Sequence, residues 1–204
     1  MPNHKSDTLN INNKNKFNKR EKRAPRKISE RYLHNSGLYY LERFSASKKH
    51  FKSVMLHKVK RSCMHHTEQN YDDFAMMVNA LADKFEASGL LDDNLYTNGV
   101  VASLRRKGLS RSAIINKMYV KGISQEKTID ALEKLDDDLS ETPEQAEEKA
   151  ALKLAKKKRL GPYFIGAEEN IKRSLGVFAR AGFSYQISQS ILSMDIKDID
   201  PKIY

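Results

Sequence analysis

Gly122-Ile123-Ser124 and Gly182-Phe183-Ser184 stand sixty positions apart, each between two stretches with helical spacing of apolar residues. The match runs outward on both sides. Ile115 and Met118 correspond to Leu175 and Phe178, and Leu132 corresponds to Leu192. An earlier copy supplies Ser47, Phe51 and Met55, which match Ser110, Ile114 and Met118 at an offset of sixty-three. A period above fifty residues predicts a tandem array of helical units that bury their apolar faces against one another, instead of a single globular core. Such an array presents a long surface to a partner and seldom encloses a catalytic pocket.

The apolar spacing and the punctuation between helices divide the chain into three units of three helices, with no segment alternating as a strand. The first unit spans 28–90. Leu33, Leu38, Tyr39, Leu41 and Phe44 mark its first helix, and Ser45 or Ser47 caps the second, which carries Phe51, Met55 and Val59. Its third helix, with Tyr71, Phe74, Leu81 and Phe85, ends at Ser88-Gly89. The second unit, 91–141, opens with Asp92 or Asp93 as cap. Ser110 then starts its middle helix, with Leu109 stapling onto Ile114, and Ser124 starts its last. The third unit, 142–194, opens on Thr142-Pro143-Glu144-Gln145, a capping box with proline at the first helical position. Its first helix stops at Gly161-Pro162, a second reaches Gly182, and the last runs from Ser184 into a polar tail, 195–204. The fold class is therefore all-α, an elongated and curved array.

Hydrophobic residues make up 39% of the chain, below the roughly 45–50% typical of globular domains, which suits an elongated molecule better than a compact one. The single cysteine, Cys63, rules out an internal disulfide framework and suits a reducing cytoplasm. No apolar run reaches the roughly 18–20 residues of a membrane span, and there is no hydrophobic signal core near the N-terminus. Nothing in the pattern forces a dimer, so a cytoplasmic monomer is expected. Of the net charge of +11, residues 1–31 hold +7, with ten Lys/Arg against Asp7, Glu21 and Glu30. Residues 1–27 are too poor in large apolar groups to offset the entropy of ordering. They are expected to form a disordered basic arm, serving either as a solubilising tail or as an attachment to nucleic-acid phosphates.

Charge also follows the repeat. Residues 43–61 and 105–121 contain Lys and Arg but no acid, whereas 68–95 and 126–148 are acid-rich, and 149–180 is basic again. Basic middle helices stacked in order would form a continuous positive stripe; the alternative is solvated faces of opposite sign pairing helix to helix. The stripe assigns contact with an acidic protein surface or DNA phosphates to Arg105, Arg106, Lys107, Arg111, Lys117 and Lys121. Lys156, Lys157, Lys158, Arg159, Arg173 and Arg180 extend it. Each exposed contact contributes only about 0.2–1 kcal/mol, so the effect is expected on combined neutralisation.

Several segments together resemble the RecX family of recombination regulators over about residues 28–194. They are Leu38-Tyr39-Tyr40-Leu41-Glu42-Arg43-Phe44, Leu90-Leu91-Asp92-Asp93, and Leu104-Arg105-Arg106-Lys107-Gly108-Leu109-Ser110-Arg111. Arg159-Leu160-Gly161-Pro162-Tyr163 and Ala179-Arg180-Ala181-Gly182-Phe183-Ser184-Tyr185 complete the set, the last being similar to proteobacterial members. The resemblance implies tandem three-helix units that lie along the groove of the RecA recombinase filament on DNA and restrain its ATP hydrolysis, strand exchange and growth. The chain departs from the pattern in places. Ala113 and His50 stand where many members carry an acid three residues after the capping Ser, and Lys156-Lys157-Lys158-Arg159 is unusually basic.

Other readings are weaker. His34, His50, His57, His65 and His66 cluster near Cys63, but structural zinc sites show paired ligands at recurring spacing, so these read as surface histidines and no metal is expected. The Gly-hydrophobic-Ser turns resemble a helix-turn-helix junction, which makes a sequence-specific DNA-binding regulator, or a general nucleic-acid binder, the rival class. The chain has no phosphate-binding Gly loop, His-Glu-x-x-His motif or nucleophile elbow, so neither an enzyme nor a cofactor is expected. Asp136-Asp137-Asp138 reads as a solvated acidic run near a helix end.

Overall fold

A side-chain oxygen starts every α-helix among the described residues. The computed structural model describes residues 24–199; residues 1–23 of the basic arm and 200–204 of the tail lie outside them. Among the described residues there are nine α-helices and no strand. In order they are α1 (Glu30–Leu41), α2 (Lys48–His65), α3 (Tyr71–Ala87), α4 (Asp93–Arg106) and α5 (Arg111–Val120). They continue with α6 (Gln125–Asp138), α7 (Pro143–Lys158), α8 (Ile171–Arg180) and α9 (Tyr185–Ser193). Ser29, Ser47, Asn70, Asp92, Ser110, Ser124, Thr142, Asn170 and Ser184 precede them, and each side chain accepts an amide N–H of the first turn. A cap of this kind contributes about 1 kcal/mol by satisfying a donor that the helix cannot. Thr142 and Gln145 form the reciprocal capping box that their spacing predicts. Between the two caps the sequence allowed, Ser47 starts α2 and Asp92 starts α4. α7 closes at Arg159, in the left-handed region at φ 56°, and Gly161–Tyr163 forms a separate 3-10 turn.

Side chains bury in three clusters, each drawn from three consecutive helices. Leu33, Phe51, Met55, Val59, Val78 and Phe85 join α1, α2 and α3. Tyr96, Val101, Ile114, Met118 and Leu132 join α4, α5 and α6. Ala151, Leu152, Ala155, Phe178, Phe183 and Ile191 join α7, α8 and α9. Phe51 and Met55 in the first cluster and Ile114 and Met118 in the second, matched in the sequence, are all fully buried. Each such side chain contributes about 1.5–3 kcal/mol on leaving water.

The helix caps also join one triplet to the next. Ser47 and Ser110 are fully buried. The Ser47 hydroxyl donates to the Lys121 carbonyl at the end of α5 (2.7 Å), and the Ser110 hydroxyl donates to the Ala181 carbonyl at the end of α8 (2.6 Å). A carboxylate from the following triplet completes each joint. The Lys48 amide donates to Asp93 Oδ1 (2.7 Å), and the Arg111 amide donates to Glu147 Oε2 (2.9 Å) and Oε1 (3.1 Å). The N-terminus of α2 thus meets the C-terminus of α5, and the N-terminus of α5 meets the C-terminus of α8, so opposite dipole ends face each other. Gly182, at φ 84°, fits beneath Ser110; a Cβ there would stand 2.8 Å from the Ser110 hydroxyl.

The far end of α2 is closed by residues counted with the arm in the sequence. The Ser62 hydroxyl donates to the Arg26 carbonyl (2.9 Å), His66 Nε2 donates to the Pro25 carbonyl (2.9 Å), and Lys27 pairs with Glu68 (2.6 Å). Gln69 holds the strap at Ile28 from both sides, accepting its N–H (3.1 Å) and donating to its C=O (2.9 Å). At the other terminus, Met194 and Ile199 pack against the third cluster, so the first residues of the polar tail are anchored.

Candidate partner-binding surface

The structure separates the basic residues into buried and solvent-facing sets. Arg105 leaves the stripe. It is 7% exposed, pairs with Glu147 (2.5 Å), and donates to the Leu109 carbonyl (3.3 Å). It fastens the second triplet to α7 and has no surface to offer a partner. Position explains this, because Arg105 lies on the α4 face that α7 covers, and composition does not reveal which face of a helix a cation occupies. Arg111 is half-buried; its amide caps into Glu147 and its guanidinium pairs with Glu133 (3.1 Å). Arg106, Lys107, Lys117 and Lys121 face solvent, as do Lys156, Lys157, Lys158, Arg159, Arg173 and Arg180.

Asp136 overturns another expectation. The acidic run sits in the last turns of α6, where Asp137 and Asp138 are exposed but Asp136 is only 2% exposed. Burial raises its pKa, and the nearby positive charges of Arg105 and Arg111 act in the opposite direction. Glu147 and Arg105 form a charged interlock beneath α7, and Asp136 lies close enough to feel their charges without hydrogen-bonding to them. Glu147 and Asp93 belong to the joints, a role the sequence did not show: Glu147 read as an ordinary acid in an acid-rich segment, and Asp93 as a candidate cap of α4.

Four of the predicted contact residues come together. Lys158 and Arg159 at the end of α7, and Arg173 and Arg180 on α8, line a cleft of about 810 Å³. Leu154, Leu160, Phe164 and Val177 supply its apolar lining. Glu169, also on its wall, accepts from the Gly161 amide (2.9 Å) and the Ser174 hydroxyl (2.6 Å), which pins the loop that leads into α8. Of the other predicted contact residues that face solvent, Lys156 and Lys157 also lie on α7, and Arg106, Lys107, Lys117 and Lys121 lie on the earlier triplet. Lys117 and Lys121 flank the exposed Tyr119 and Val120 at the end of α5.

The histidines do not assemble a site: no three of His, Cys, Asp and Glu are grouped to hold a metal among the described residues. His34 packs edge-on against Phe85, and His65 against His66. No helix among the described residues is long and apolar enough to cross a membrane.

Helix triplets fastened through cap hydroxyls define an all-α fold among the described residues, with exposed cations on α2, α4, α5, α7 and α8. Two relatives carry the same description. The chain is 38% identical over 184 residues to the regulatory protein RecX of Myxococcus xanthus, covering 87% of this chain and 92% of that protein. It is 26% identical over 176 residues to the regulatory protein RecX of Agrobacterium fabrum, covering 83% and 86%. A crystal structure of a regulatory protein RecX shares the fold, with a TM-score of 0.55 and 19% identity over 81% of this chain and 72% of that one. No protein-family model matches the chain. The chain belongs to the RecX family of regulatory proteins.

Proposed function

We propose that this protein binds the RecA nucleoprotein filament and restrains its ATP hydrolysis, strand exchange and growth during recombination and DNA repair, acting as a cytoplasmic monomer. The reading is supported by the way α8, α5 and α2 join end to end through Ser110 and Ser47, which gives successive triplets a common orientation. A ligand that is itself a helical repeat meets such a surface in several places at once, and weak exposed contacts then add through high effective concentration. Arg106, Lys107, Lys117 and Lys121 on the second triplet, with Lys156, Lys157, Lys158, Arg159, Arg173 and Arg180 on the third, form the contact surface. DNA is approached through the filament, and the basic arm adds phosphate attraction.

The test is strand exchange between homologous DNAs driven by the cognate recombinase. Substoichiometric protein is expected to slow it, because one molecule spans several filament subunits. Undiminished exchange at equimolar protein would reject the reading. A sequence-specific DNA regulator would instead select one operator sequence from a random pool, an outcome this account does not predict.

A further inference from the structure

We propose that the cleft between α7 and α8 receives an acidic, amphipathic helix of the filament's protein component, seated on the third triplet as α7 is seated on the second. The inference rests on the filament-binding reading and adds the surface that grips protein instead of DNA. Gly108 and Arg159 occupy equivalent positions. Each follows the first helix of its triplet with positive φ, and the residue after each returns an amide hydrogen bond five residues back, Leu109 to Leu104 and Leu160 to Ala155. At Gly108 the next triplet lies directly overhead, with the Lys153 Cβ 2.8 Å and the Ala150 carbonyl 3.1 Å from where a Cβ would stand. α7 brings Glu147 to that joint, where the carboxylate meets Arg105 and the Arg111 amide. At Arg159 no other triplet covers the position among the described residues, and an exposed arginine stands in place of the covered glycine.

A left-handed conformation is unfavourable for arginine relative to glycine. Retaining the side chain there is understandable if the cation itself is used. Among the described residues, Lys158, Arg159, Arg173 and Arg180 have no ion pair or side-chain hydrogen bond, so their charge is available to an incoming carboxylate. Phe164 and the exposed Ile165 and Ile171 border the same end of the triplet. That apolar lip offers nothing to a phosphate chain but fits the buried face of an amphipathic helix. A second copy of this chain is a poor occupant. The end of its own stack that would be presented, at α2, is closed by the Pro25–Ile28 strap.

The test compares two probes with the full-length chain: recombinase filaments assembled on single-stranded DNA, and the same DNA bare. The combined variant Arg159→Gly, Arg173→Ala and Arg180→Ala is expected to bind filaments roughly tenfold or more weakly, with bare-DNA affinity nearly unchanged. Arg173→Lys with Arg180→Lys keeps the charges and retains binding. Arg159→Gly alone relieves the backbone, so it should melt no lower than the wild type and still bind filaments more weakly; this keeps the test valid if the triple variant misfolds. Equal losses on both probes would make the cleft a phosphate site and overturn the proposal, as would unchanged filament binding by Arg159→Gly and the triple variant. Failure of the wild type to bind filaments at all would reject the underlying functional reading together with it.

Discussion

The Ser110 hydroxyl donates to the Ala181 carbonyl at 2.6 Å while accepting the Ala113 amide at 3.1 Å, so one buried side chain both starts α5 and fastens it to the end of α8. Ser124 makes the cap without the joint, accepting only from Lys127 at an exposed site. Ser110→Ala is therefore expected to cost about 2–3 kcal/mol, the cap plus an orphaned carbonyl, whereas Ser124→Ala costs about 1 kcal/mol. Urea unfolding of the two variants measures the difference. Equal losses would mean that the joint carries no stability.

Glu147 is the acceptor for both Arg105 and the Arg111 amide. Removing it leaves a buried guanidinium uncompensated, and Glu147→Ala should cost about 3–5 kcal/mol. Replacing both partners, Arg105→Met with Glu147→Leu, is expected to recover most of that loss, since a well-packed apolar pair avoids the desolvation of two charges. Thermal melting of both proteins decides it; a double variant less stable than Glu147→Ala would contradict this account of the interlock.

Asp136 and Asp83 should respond to pH with opposite signs. Burial raises the Asp136 pKa, so its ionised form opposes folding. The favourable contribution is present at low pH and is lost as pH rises from the ordinary aspartate range through the raised value. Asp136→Asn should therefore stabilise the protein at neutral pH, with the gain shrinking as pH falls through the raised value and gone below about pH 4. The hydrogen bond from Lys48 lowers the pKa of Asp83, so its contribution is present above the ordinary range and is lost as pH falls through the lowered value. Asp83→Asn should flatten the acid limb of the stability curve. Melting curves of both variants across pH check the signs.

Helix starts were legible because each depends on one local residue: Ser110, Ser124 and Ser184 cap where the Gly-hydrophobic-Ser turns place them. The matched positions Phe51, Ile114, Met55 and Met118 were legible as core because helical periodicity selects one face. The site was less legible. Arg105 and Arg106 are adjacent and identical in sequence, yet one is buried against Glu147 and the other faces solvent. The distinction depends on where α7 docks, 42 residues away along the chain. Asp136 was misread for the same reason, as an acidic run is a solvated face only where no later helix covers it. The cleft needed the fold as well, because it unites Lys158 and Arg159 with Arg173 and Arg180 across a loop whose course is set by Glu169.

Solvent-facing cations and the buried one should separate on mutation. Reversing Arg106, Lys107 and Lys117 together is expected to leave the melting temperature within a few degrees, as exposed charges contribute little to stability, and to weaken filament binding roughly tenfold. Arg105→Glu should instead unfold or strongly destabilise the chain, placing a carboxylate against Glu147. Melting curves run beside filament co-sedimentation measure both effects. A triple reversal that bound filaments like the wild type would remove the second triplet from the contact surface.

The most direct measurement is DNA-dependent ATP hydrolysis by the cognate RecA filament with substoichiometric amounts of this protein. It should be run with the full chain and with residues 24–204, which keep the strap that closes α2. Strong inhibition by both forms is the predicted result and assigns the activity to the helical triplets. Inhibition by the full chain alone would move it to the basic arm, and no effect from either form despite tight DNA binding would contradict the account.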